Sequence, residues 1–162
     1  MKTTKVGTIE LGNQVTISDP CYEVGTWCAI SLDCVLEGTY DCFIKKGNHN
    51  SWGIRVKEMT IVHKNYNNLV MVSDYELIGR VCVDSGTMSI TDTDYYEGTH
   101  NEDEESENWY NMEVCEKTCD NDYNIVGGKC FISTSGIGDG TYSVYGAFDS
   151  EDRLYAIKVV FL

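Results

Sequence analysis

The chain has 162 residues, 42% of them hydrophobic and 23% charged, which supplies one packed core and excludes disorder throughout. Its formal net charge of −14 excludes non-specific binding to DNA, RNA or anionic lipid, because nothing here would displace phosphate counterions. The first residues lack the apolar stretch of a secretory signal, and no run approaches the ~18 apolar residues of a membrane helix. The cytoplasm is therefore the expected compartment, with the eight cysteines reduced and serving mainly as small core hydrophobes.

Residues 5–11 alternate through Val6, Ile9 and Leu11 and predict a first strand. Gly12-Asn13 reads as a hairpin turn, since both residues accept positive φ. Residues 14–18 predict a second strand that Asp19-Pro20 stops. Residues 21–36 leave room for one or two helical turns. Strands follow at 38–44 and 52–63, the latter with Ile54 and Val56 inward and His63 on the surface, and a short one at 69–73. Residues 79–86 predict a buried strand entering a tight turn, and 88–90 resume extended chain.

Residues 92–122 hold twelve acidic residues against one lysine, −11 of the total −14. The run Glu102, Asp103, Glu104, Glu105 and Glu107 repels itself and predicts a solvated loop, so 92–124 reads as an acidic loop insertion, with one short helix over 109–119. Strands resume at 126–134, after a Gly127-Gly128 turn, and at 142–148. A four-residue turn at 149–152 leads into residues 154–162, which are apolar on both faces and belong in the middle of a packed structure. Tyr155, Ile157, Val159 and Phe161 are expected on one face, Leu154, Ala156, Val160 and Leu162 on the other. Nine strands, short turns and little helix predict a single domain over 1–162. Its class is all-β or β-rich α+β, an antiparallel sandwich or partly closed barrel with one or two short helices.

Three turns share a chemistry. Asp19 follows a strand and precedes Pro20-Cys21-Tyr22; Asp84 precedes Ser85-Gly86; Asp139 lies between Gly138 and Gly140, with Tyr142 next along. Three carboxylates at strand ends could converge to hold Ca²⁺ or Mg²⁺, or accept hydrogen bonds from a ligand. Asp in a turn also caps its own backbone, which needs no ligand.

The motifs Asp19-Pro20-Cys21-Tyr22, Gly38-Thr39-Tyr40, Val83-Asp84-Ser85-Gly86 and Ser135-Gly136-Ile137-Gly138-Asp139-Gly140-Thr141-Tyr142, with a hydrophobic end at Phe161, occur in this order. The order resembles a family of small uncharacterised proteins found in phages and bacteria, over nearly the whole chain. The resemblance implies a common β-rich fold and makes the three turns family features; it implies no activity. The acidic segment is where this chain departs from the shared pattern.

Cys115-x-x-x-Cys119 with Cys130 offers three thiolates towards a zinc site, with His100 or Cys82 as a fourth ligand, against the plainer readings of a disulfide or ordinary thiols. No histidine sits in a nucleophile motif, and no phosphate loop or hydrolase elbow is present. Tyrosines beside the motif turns suit a base- or sugar-stacking pocket, a protein interface, or strand-face packing.

These features favour a binding protein over an enzyme, with no catalytic residue assigned. The ligand set is Asp19, Tyr22, Asp84, Ser85, Gly86, Gly138, Asp139, Gly140 and Tyr142. No cofactor is expected, though a divalent cation would suit the carboxylates. If the chain is phage-encoded, the expected use is to block a host defence in the host cytoplasm by sequestering a small nucleotide signal. One alternative is an acidic nucleic-acid mimic that docks Glu102–Glu107 on a host protein. The other is a metal-dependent phosphoester hydrolase. Direct nucleic-acid or membrane partners are not expected, and oligomeric state is left open.

Overall fold

The computed structural model describes residues 2–25, 28–66, 74–100 and 109–162. Eleven strands stand among the described residues: β1 (Lys2–Leu11), β2 (Val15–Ser18), β3 (Ile30–Leu32), β4 (Gly38–Asn48), β5 (Ile54–His63), β6 (Glu76–Val83), β7 (Thr87–Asp92), β8 (Tyr123–Val126), β9 (Cys130–Thr134), β10 (Gly140–Phe148) and β11 (Leu154–Val160). They form two antiparallel sheets, ordered β1-β4-β5-β11-β10-β6 and β3-β2-β7-β9-β8. Neither closes into a barrel, so the fold is a β-rich sandwich. Its core lies between the sheets, where Ile17, Tyr40, Met59, Ile61, Met88, Ile90, Phe131 and Ile157 are fully buried.

β11 stands inside the larger sheet, between β5 and β10, as its apolar faces require. Its face assignment differs from strict alternation. Ala147 pairs with Ala156 while Phe148 pairs with Leu154, so Tyr155 is the extra residue of a bulge. The bulge moves Leu154 into the central core with Ile157, Val159 and Phe161. Tyr155 turns to the outer face, where it packs with Val62, Ala147 and Ala156 and stacks on Tyr66 at 4.1 Å.

Gly12-Asn13 is a corner between sheets, not a hairpin. β1 belongs to the larger sheet and β2 to the smaller, and neither turn residue takes a positive φ. Asp92 holds the corner by accepting the Gly12 N–H at 2.7 Å. Two further expectations change. Ile54 is exposed, because it sits next to the β4–β5 hairpin tip. His63 is buried, with its Nδ1 accepting from Asn65 N–H at 3.1 Å and its Nε2 donating to Glu37 O at 3.0 Å. A short strand, β3, stands in the region read as helical turns. The expected strand at 69–73 lies outside the described residues.

Helix dominates the described part of the acidic segment. Helix α1 (Thr93–His100) and a π-helical turn (Tyr110–Cys115) that continues into α2 (Glu116–Asn121) lie in 92–124. Val114, Tyr95, Trp109 and Tyr110 pack on Val126, Cys130 and Ile132 of the smaller sheet. The charges project outward while this apolar stripe pays for docking the helices.

Candidate functional site

β2 ends at Ser18, and Asp19-Pro20 carries the chain out of the sheet. Pro20 has no N–H to offer, and the turn is held by Cys21 N–H, which donates to Asp19 Oδ1 at 2.9 Å. The same carboxylate reaches the turn between β6 and β7. Asp84 N–H and Ser85 N–H donate to Asp19 Oδ2 at 2.8 and 2.7 Å, and the Ser85 hydroxyl donates to Oδ1 at 2.6 Å. Asp19 is fully buried. An ionised carboxylate has about four acceptor positions, and four donors occupy them, which is what allows its burial.

The clamped turn presents its own groups outward. Asp84 is exposed, and its Oδ2 accepts from the Tyr22 hydroxyl at 2.5 Å. Gly86 closes the turn at φ +74°, with open space where a side chain would begin. The Ser85 hydroxyl also bonds Thr87 Oγ1 at 2.7 Å. The Tyr110 phenol lies against Ser85, Thr87 and Cys115; burial first of all pushes it up to about 12. Behind the turn, the buried Tyr96 hydroxyl of α1 donates to Asp19 O at 3.2 Å and to Tyr22 O.

The third motif joins through its first residue. Ser135 N–H donates to Gly86 O at 3.0 Å, and the Ser135 hydroxyl donates to Gly138 O at 2.8 Å. The Tyr142 hydroxyl is shared between Ser135 O at 3.0 Å and Gly138 O at 2.6 Å. Tyr142 is 8% exposed and meets the Phe161 ring edge-on, so it is a strut inside the loop. Gly136 has φ +66°, and a Cβ there would stand 3.0 Å from Phe161 Cβ, so this turn needs glycine twice over.

Asp19, Tyr22, Asp84, Ser85 and Gly86 therefore meet in one network, and the Ser135 loop abuts it through Gly86. Gly138 and Gly140 shape that loop. Asp139 is exposed on it and takes part in no hydrogen bond or ion pair among the described residues. Ser135, Thr87, Tyr96 and Tyr110 were not among the expected site residues. Ser135 carried a signal in the motif itself and Thr87 directly follows Gly86 in the chain; Tyr96 and Tyr110 reach the site only through tertiary packing.

The three thiols proposed for zinc separate into two environments. Cys115 and Cys119 face each other one helical turn apart, and burial and then Cys115 raise the Cys119 thiol. Cys115 also lies near Cys21, whose thiol is raised by burial and then by Asp19. Cys130 is buried with Val114, Val126 and Ile132; its sulfur bonds Thr91 Oγ1 at 2.9 Å, and burial pushes it up to about 12. Among the described residues, no three His, Cys, Asp or Glu side chains group so as to hold a metal ion. Glu102, Asp103, Glu104, Glu105 and Glu107 lie outside the described residues.

The Tyr22–Asp84 bond has a readable consequence. The Tyr22 phenol is pushed up to about 12 from an ordinary 10.0, first by its hydrogen bond to Asp84. Because the folded value is raised, the bond's contribution to stability is fully present below about pH 10 and is lost as pH rises through about 12. Asp84→Asn should return this phenol towards 10, seen as one tyrosine shifting in the difference between two ultraviolet tyrosinate titrations. Superimposable curves would mean that the bond does not persist in solution.

Comparison with protein-family models, with curated proteins and with solved structures gave no match to this chain.

Proposed function

We propose that the protein is a non-enzymatic binding protein that takes a small nucleoside- or nucleotide-like ligand at the turn face formed by Tyr22, Asp84 and Gly86. The observation that carries this reading is the Asp19 clamp. It fixes the Asp84–Gly86 turn by three hydrogen bonds, with a fourth from Cys21 N–H holding Asp19's own turn, and leaves the Asp84 carboxylate and Tyr22 ring facing outward. Carboxylate and phenol suit a ligand's amine and hydroxyl donors, the ring suits stacking, and the open space over Gly86 lets a ligand approach the backbone. Among the described residues, none of those that form this face (Tyr22, Asp84, Ser85 and Gly86) carries a positive charge for a phosphate, which favours recognition through base and sugar. The four donors occupy the Asp19 acceptor positions that a metal would need, which supports binding over hydrolysis. Together with the resemblance of these motifs to those of small phage and bacterial proteins, this chemistry supports sequestration of a nucleotide signal as the biological use.

Calorimetric titration with nucleosides and cyclic dinucleotides, followed by native mass spectrometry, tests the reading. Asp84→Asn should weaken binding about tenfold or more, since a hydrogen bond to a charged group is worth about 1.5–3 kcal/mol. The recovered ligand should be intact. Equal affinity in wild type and variant, or binding of none of these compounds, would sink it; a changed ligand mass would favour the hydrolase.

A further inference from the structure

A second pair of cysteines sets Cys28 beside Cys82, the residue considered above as a fourth zinc ligand. Cys28 is exposed on the segment that leads from Tyr22 to β3, and Cys82 is half-buried on β6, two residues before Asp84. Their backbones already touch, with Cys82 N–H donating to Cys28 O at 3.3 Å. The Cys28 thiol points along β6, donating to Arg80 O at 3.7 Å, and the Cys82 sulfur accepts from Thr141 Oγ1 at 3.7 Å. The two side chains lie within hydrogen-bonding reach of each other, and this contact is the first cause that raises the Cys28 thiol. Both cysteines stand as thiols.

We propose that Cys28 and Cys82 form a reversible disulfide by exchange with a low-molecular-weight disulfide, fastening the Tyr22 segment to β6. Exchange begins at the exposed partner. The Cys28 thiolate attacks one sulfur of the small disulfide, forming a mixed disulfide and releasing one small thiolate. The Cys82 thiolate then attacks the Cys28 sulfur, closing the protein disulfide and releasing the second. The protein is oxidised by two electrons and the small disulfide is reduced to two thiols, with the protons of Cys28 and Cys82 passing to solvent and the departing thiolates. The raised Cys28 thiol is mostly protonated at neutral pH, so the first step accelerates as pH rises. An exposed bridge of this kind remains open to reduction. It would tie down both sides of the turn face, Tyr22 from one strand connection and Asp84 from the other. The disulfide itself does not depend on what that face binds.

Oxidised glutathione is the probe, applied to the full chain, followed by alkylation of remaining thiols and peptide mapping. The expected product has the Cys28 and Cys82 peptides joined, the other six cysteines alkylated, and the bridge opened by dithiothreitol. Cys82→Ser should stop at the mixed glutathione disulfide on Cys28. A bridge between other cysteines, such as Cys115 and Cys119, would overturn the proposal. So would a glutathione adduct on Cys28 that persists in the wild type, or alkylation of all eight thiols. Circular dichroism of Cys82→Ser before oxidation separates failed exchange from failed folding.

Discussion

Asp19→Ala should cost about 3–4 kcal/mol of folding stability, whereas Asp139→Ala should change it by no more than about 0.5 kcal/mol. The two residues look alike in sequence, each an aspartate in a turn between small residues. Their surroundings decide the difference. Removing the Asp19 carboxylate strips the acceptor from Cys21 N–H, Asp84 N–H, Ser85 N–H and the Ser85 hydroxyl. A donor left unsatisfied costs about 1–3 kcal/mol, but the turn can relax and admit water, so the four terms do not add. Asp19→Asn keeps one acceptor oxygen and turns an N–H towards the other donors, so it should recover only part of the loss. Urea unfolding at neutral pH measures all three variants. A loss below about 1 kcal/mol for Asp19→Ala would mean that the clamp is replaceable by solvent, and the case for a preformed Asp84 face would go with it.

Most strands, though not β3 or β8, were legible because their signal is local. Alternation marks β1 and β10, and continuous apolar character marks β11 as an inner strand. What the sequence concealed depends on one-residue events or distant partners. The bulge at Tyr155 reverses its face and that of Leu154, and no residue type announces it. Gly12-Asn13 has hairpin chemistry, yet the chain changes sheets there because Asp92, eighty residues away, takes the Gly12 N–H. At the candidate site, local reading offered self-capping as one reading of all three turn aspartates, and Asp19 does cap its own turn through Cys21 N–H. It also allowed three aspartates to converge, but could not tell that Asp19 is buried among donors while Asp139 is exposed. The acidic count over 92–122 described the outward face of its helices and hid the inward one, where Tyr96, Val114 and Thr118 are buried.

That inward face gives the second large effect: Tyr96→Ala should destabilise the fold by about 3–5 kcal/mol, the usual cost of deleting a buried aromatic side chain. Tyr96 is fully buried, stacked on His100 at 4.4 Å and edge-on to Trp109 at 5.8 Å. Its hydroxyl fastens α1 to the carbonyls of Asp19 and Tyr22. Truncation would open a cavity where α1, the stretch before α2 and the Asp19 turn meet. Tyr96→Phe keeps the ring and loses only the hydroxyl bonds, so it should cost about 1–2 kcal/mol. The graded pair separates packing from hydrogen bonding, and denaturant unfolding reads both. A dispensable acidic insertion predicts a different result, with both variants within about 0.5 kcal/mol of wild type. If the larger loss is found, α1 supports the back of the Asp19 turn, and deleting the acidic segment to test nucleic-acid mimicry would damage the turn face as well. Neutralising its exposed carboxylates one by one, with Tyr96 left in place, is then the only clean way to vary the charge.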